Sequence, residues 1–169
     1  MRGMAILSAL VVALVACQPT SVETGARATF RDQNVQIASK ADFDATRFAG
    51  DWYEVARFPG TRGCAGARLH FEAGVNSLRR TARCPDGPVS ILDAAVSPLG
   101  RLTLAEGSET HSVWVLWTDT TYRTAVLVVP DGAGGQILNR TPRLPVDRLR
   151  AALEVLDFNG FDTEALVFR

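Results

Sequence analysis

From Phe43 to the C-terminus, short runs of apolar and β-branched residues alternate with turn residues at a spacing of about 8–12 positions, the pattern of many short sequential strands. The runs predict strands over residues 51–58, 67–73, 77–83, 88–96, 101–106, 112–118, 122–130, 135–140 and 164–168. Pro85-Asp86-Gly87-Pro88, Pro98-Leu99-Gly100 and the stretch from Pro130 to Gly135 supply turn chemistry between them. A chain of this kind folds as an all-β sandwich or an up-and-down barrel. One segment follows another period. Val146, Leu149, Leu153 and Leu156 share a single helical stripe, with Pro145 suited to the first helical position and Asn159-Gly160 to the stop. A lone amphipathic helix after eight strands has to lay that stripe against the outside of the sheet, ahead of one short last strand.

The first apolar run is of a different nature. Met4 to Ala16 is apolar except for Ser8 and follows the single positive charge of Arg2. It is too short for a transmembrane helix, which needs about 20 residues, and fits the h-region of a signal peptide. Leu14-Val15-Ala16-Cys17 resembles the lipidation signal of bacterial lipoproteins, in which the cysteine receives a diacylglycerol and becomes the new N-terminus. The resemblance implies that residues 1–16 are removed and that Cys17 carries the lipid. Gln18 stands where aspartate would signal retention in the inner membrane, so it also implies the outer membrane. The alternative is a buried cysteine in a core helix. Residues 17–41 are polar and mixed, with Pro19, Ser21, Thr24 and Gly25 and no amphipathic period, and read as a lipidated tether. Ordered structure is expected from about Phe43, with the domain occupying residues 42–169.

Composition narrows the chemistry. The chain has 169 residues, one domain's worth, and its 18 basic residues balance 18 acidic ones, unlike the basic surface of a nucleic-acid binder. Three cysteines leave no room for a zinc ribbon. With Cys17 taken by lipid, Cys64 and Cys84 remain as an even pair in an oxidising compartment. They flank a strand–turn–strand unit, and a turn centred on Gly74–Val75 puts them opposite one another at the hairpin's open end, within about one residue. Disulfide geometry needs Cα atoms within about 7 Å. Two unpaired buried thiols are the alternative.

Three motifs in order carry a family resemblance. Gly50-Asp51-Trp52, followed by Tyr53-Glu54-Val55-Ala56-Arg57, is similar to the first motif of the lipocalins, whose kernel is Gly-x-Trp. Thr118-Asp119-Thr120-Thr121-Tyr122 matches the second, Thr-Asp-x-x-Tyr, and Arg140 at the end of the eighth strand matches the third. The likeness covers residues 43–169 and points to the family's bacterial lipoproteins. It implies an eight-stranded up-and-down antiparallel barrel with one C-terminal helix packed outside and a short ninth strand. In the family, the tryptophan fills the closed base and the arginine lies over its ring, so Gly50, Trp52, Thr118, Asp119, Tyr122 and Arg140 identify the fold and say little about the ligand. Two departures stand out. The stretch from Leu102 to Ser112 is short, with few large apolar residues, and no C-terminal cysteine exists to pair with an early one.

Catalytic sets are missing from the sequence. No Gly-x-Ser-x-Gly elbow occurs. His70 alternates with Leu69 and Phe71 and so faces outward, while His111 is expected in a solvated turn beside Glu109. Glu106 and Glu109 fall in a polar loop. Glu54 shares the face of Trp52, so it either points inward with an arginine partner, Arg80 being a candidate, or escapes to water at a bulge. No cofactor or metal is expected. The leading function is non-enzymatic binding, storage or transport of a small hydrophobic ligand, fatty acid or lysophospholipid, at the outer membrane. Burying about 14 methylenes would be worth roughly 10 kcal/mol before ordering costs. The competing readings are a barrel lipoprotein that inhibits a protease through residues 18–41 and an enzyme built on the barrel.

Overall fold

The computed structural model describes residues 28–169. Cys17, the apolar leader and the start of the tether lie outside them. Eight antiparallel strands, β1 (Gly50–Arg57), β2 (Arg68–Gly74), β3 (Ser77–Arg83), β4 (Val89–Val96), β5 (Arg101–Glu106), β6 (Glu109–Thr118), β7 (Thr124–Val128) and β8 (Gly135–Asn139), follow one another round the sheet. The sheet closes into a barrel because β1 pairs with β2 through Gly50–Tyr53 and with β8 through Tyr53–Arg57. A one-turn helix α1 (Ala45–Phe48) precedes β1. After β8 come helix α2 (Val146–Phe158), a 3₁₀ turn at Thr163–Ala165 and β9 (Val167–Phe168), which pairs with the part of β1 that β2 leaves uncovered. Every strand of the closed sheet therefore lies within residues 28–169.

The β3 and β5 spans stand where the hydrophobic pattern puts them. β6 starts three residues earlier than its apolar run, because a tight Gly107–Ser108 turn lets Glu109 pair with Glu106. β7 is shorter at both ends: Asp119–Tyr122 is spent on a turn and Pro130 opens a loop.

Strand alternation sorts the apolar residues into two cores. Trp52, Leu69, Phe71, Leu78, Ala94, Leu102, Leu104, Val115, Ala125, Leu127 and Leu138 fill the barrel interior together with Phe48. Val55, Ala56, Leu116, Val126, Val128 and Ile137 face outward, where α2 covers them with Ala152 and Leu156. A bulge between Glu54 and Ala56 moves β1 from the first set to the second. The helix begins at Val146 with Pro145 as its N-cap, and the packed stripe is Leu149, Ala152, Leu153 and Leu156. Val146 leaves that stripe and is 72% exposed. Ala152 takes its place because a small side chain lets the helix approach the sheet.

Ordered structure starts well before Phe43. Arg31 bridges Phe161, Phe30 donates its N–H to Gly132 O at 2.8 Å, and Lys40 donates to Val115 O at 2.8 Å. Phe30 stacks on Phe58 at 5.4 Å between ring centroids. Residues 28–41 thus lie along the barrel as a strap, and the tether reading does not extend to them. Their apolar anchors, Phe30 and Ile37, are too widely spaced to show a period.

Candidate functional site

The closed end is built first by the chain. Asp44 caps α1 by accepting from the Thr46 and Arg47 N–H groups, and α1 drops Phe48 into the barrel base. Phe48 stacks on Trp52 at 4.9 Å and meets Phe71 edge-on at 4.9 Å. The Trp52 Nε1–H donates to Phe48 O at 2.8 Å, so no indole donor is left unpaired. Arg140 lies over the outer face of Trp52, its Cζ 3.8 Å from the ring centroid. Its Nη1 donates to Asp51 O at 2.9 Å, Nη2 to Arg47 O at 2.9 Å and Ala49 O at 2.8 Å, and Nε to Tyr122 O at 3.1 Å. Gly50 makes room for this: its φ is +97°, and a Cβ there would stand 3.1 Å from Arg140 Nη1.

Asp119 organises the adjoining turn. Its carboxylate accepts from the Thr124 N–H, the Thr121 hydroxyl, and the side chain and N–H of Arg123. Burial alone would raise its pKa, but these donors outweigh it and bring the value down to about 2. Tyr122, in the left-handed region at φ 56°, accepts at its hydroxyl from the Asp44 N–H, 2.9 Å away. The buried Thr118 ends β6 one residue before Asp119.

The opposite end holds a cavity of about 310 Å³, at the lower limit of the roughly 300–1,000 Å³ common for ligand pockets. Leu92, Leu104, Val113 and Leu127 supply its apolar wall, and Arg80, Glu106 and His111 project polar groups into it. A second depression, of about 410 Å³, lies on the outer face of β1–β3 among Asp51, Arg68, His70, Glu72, Thr81 and Arg83. Being a charged surface groove with no apolar side chain among its walls, it has no means of holding a hydrophobic ligand. The interior cavity is the candidate site.

One side of the mouth is fastened to the wall. Cys64 and Cys84 form a disulfide with Cα atoms 5.7 Å apart. The hairpin register differs from the expected one: Gly74 pairs with Ser77, so the turn is Val75–Asn76 and Cys84 continues towards Ala67 rather than Cys64. The bond forms because the loop between β1 and β2 folds back through Gly63 and Gly66, both at positive φ. Glu54 points inward as one reading required, but its partner is Arg57, at 3.3 Å, and not Arg80. Glu54 also accepts from the Gly66 N–H at 2.8 Å, while Arg57 donates to the Thr61 and Gly63 carbonyls. Burial pushes the Glu54 carboxyl above its ordinary value against the pull of Gly66 and Arg57.

The histidines divide. His70 faces outward, with Nδ1 2.8 Å from Asp51 Oδ1. His111 is not in a solvated turn. It lies within β6, only 17% exposed, with Nε2 3.2 Å from Glu106 Oε2. Alternation with the inward-facing Val115 would have placed it inside, had β6 been extended past Ser112. Arg80 alternates with the buried Leu78 and Ala82 and so also faces inward. Burial lowers its pKa, and Glu106 raises it. No group of three or more metal-ligating side chains occurs among the described residues.

No family model matches the chain. It is 26% identical over 148 residues to the Outer membrane lipoprotein Blc of Escherichia coli (strain K12), covering 75% of this chain and 78% of the relative. It is 24% identical over 147 residues to Temperature-induced lipocalin-1 of Arabidopsis thaliana, covering 71% and 75%. Among solved structures, insecticyanin from the tobacco hornworm Manduca sexta superposes with a TM-score of 0.57 at 18% identity, covering 79% of this chain and 84% of that one. Apocrustacyanin C2 gives 0.57 at 17% identity, covering 78% and 88%. The closed eight-stranded topology, the arginine-capped tryptophan at its base and the likeness to these proteins agree: the chain has the lipocalin fold and is similar in sequence to lipocalins.

Proposed function

We propose that the protein binds, stores or carries small hydrophobic ligands, fatty acids or lysophospholipids, without catalysing a reaction on them, while anchored at the periplasmic face of the outer membrane. The observation that carries this reading is the cavity at the open end, walled by leucine and valine and separated by the aromatic base from the fold-defining motifs. Its volume suits a single chain. Cys17 supplies the anchor, since a diacylglyceryl group contributes about 0.8 kcal/mol per buried methylene. The name of the Escherichia coli relative, an outer membrane lipoprotein, supports the same location. The protease-inhibitor reading needs residues 18–41 free to enter an active site, whereas residues 28–41 lie bonded along the barrel.

Two measurements test the proposal. Titration of the mature chain with the neutral fluorophore N-phenyl-1-naphthylamine should show saturable binding, reversed by fatty acid or lysophospholipid. Absence of saturation refutes the cavity reading. Cys17→Ser should abolish palmitate labelling and release the protein from the membrane fraction, and a variant still labelled and anchored refutes the lipid site.

A further inference from the structure

The barrel contains two inward-facing arginines near its open end, and they are treated differently. Arg57 is paired with the Glu54 carboxylate and donates to two loop carbonyls. Arg80 forms no ion pair among the described residues, and its Nε is buried without a hydrogen-bond partner. Its ladder neighbours are Phe71 on one side and Leu92 on the other, neither of which offers a side-chain acceptor. From β6, across the cavity, His111 presents Nε2, which is buried and likewise has no well-formed hydrogen bond despite the nearby Glu106. Glu106 and Glu109 are held towards Arg62 at the rim, 3.5 and 3.7 Å away.

A guanidinium nitrogen buried without a partner beside an apolar wall is destabilising, because that donor loses water and gains nothing. A bound anion removes that cost. The planar fork matches the oxygens of a carboxylate or a phosphate. The acidic rim disfavours an anion held at the mouth, so the favourable position is deeper, beside Arg80.

We propose that the cavity selects single-chain amphiphiles with an oxyanion head group, and that Arg80 binds that head group inside the barrel. This rests on the reading of the cavity as a fatty-acid or lysophospholipid site and adds the residue that recognises the charged head group and sets the preference over a neutral lipid. A neutral lipid of the same length would leave the guanidinium unmatched.

The test uses the mature chain, residues 17–169, produced without lipid, and three ligands of one chain length: dodecanoate, dodecyl phosphate and 1-dodecanol. Each competes with N-phenyl-1-naphthylamine. The wild type should bind at least one of the anions about tenfold or more tightly than the alcohol, as expected for charge-assisted hydrogen bonds. The tighter of the two anions distinguishes a carboxylate source from a phosphate source. Arg80→Gln should bring anion and alcohol to within about twofold, and Arg80→Lys should keep part of the preference, a charge without the fork. Equal affinity of wild type for anion and alcohol overturns the inference while leaving the hydrophobic site standing, as does a preference that survives Arg80→Gln. If the fluorophore fails to bind at all, both readings fall. Should Arg80→Gln not fold, the wild-type ratio decides alone.

Discussion

Arg140→Ala removes the clamp that holds the closed end together, and the structure allows its cost to be worked out. The guanidinium stacks on Trp52, a contact worth about 1–2 kcal/mol in a partly desolvated setting. It also donates to carbonyls of Arg47, Ala49, Asp51 and Tyr122. The Arg47 and Asp51 oxygens are open to solvent, so water replaces the arginine there at little loss. Those of Ala49 and Tyr122 are partly buried, and each stranded acceptor costs about 1 kcal/mol. The total is about 3–4 kcal/mol. For a domain of this size it lowers the melting temperature by roughly 6–16 °C. Thermal denaturation followed by circular dichroism measures this directly. Arg140→Lys should recover less than half, since an ammonium can neither stack flat nor reach four carbonyls. A melting temperature within 2 °C of wild type, about the measurement error, would refute the clamp. Lost ligand binding at unchanged stability would place Arg140 at the wrong end of the barrel.

Replacing both Cys64 and Cys84 with serine opens a crosslink between residues 20 apart, which the chain-entropy model values at about 3 kcal/mol. The denaturation midpoint should fall accordingly, and labelling of unreduced protein should find neither thiol; two reactive thiols would contradict the bond. Asp119 predicts an acid limb. Its folded-state pKa of about 2 lies below the ordinary 3.8, so its stabilisation is complete above that ordinary value and drains away as pH falls towards about 2. The difference amounts to about 2 kcal/mol, and Asp119→Asn should lose that slope in urea midpoints measured between pH 5 and pH 2; identical profiles would contradict it.

The strand order and the closed base were legible because both rest on local signals: period-two alternation, turn residues and three short motifs. What escaped depends on details that a hydrophobic period does not encode: the exact turn residues, a bulge, and where one element meets another. The hairpin between β2 and β3 turns at Val75–Asn76 because Asn76 tolerates positive φ, which shifts the register away from a turn at Gly74. Val146 fits the helical stripe by period, yet the helix meets the sheet one turn later. Pairing of Glu54 with Arg57 rather than Arg80 follows from the bulge at Val55, which brings residues three apart on one strand together. Of the cavity, Arg80 was legible only as a candidate partner for Glu54, and its lack of a partner is a fact about the strands around it.

The seam between β1 and β8 also governs how the barrel can form. Strands β1 to β8 each pair with the next in sequence, so they can zip up as successive hairpins, whereas the other edge of β1, from Tyr53 to Arg57, needs β8 from the far end of the domain. Arg140, which immediately follows β8, reaches across to the start of β1, and β9 then covers the rest of that strand. Closure and locking are therefore one late event, and contacts of such high sequence separation are slow to form. Until then β1 and β8 present bare edges able to pair with other chains. A chain emerging from a translocation pore N-terminus first would hold those edges open until its last thirty or so residues arrive, so truncations at the C-terminus should aggregate rather than leave a smaller barrel.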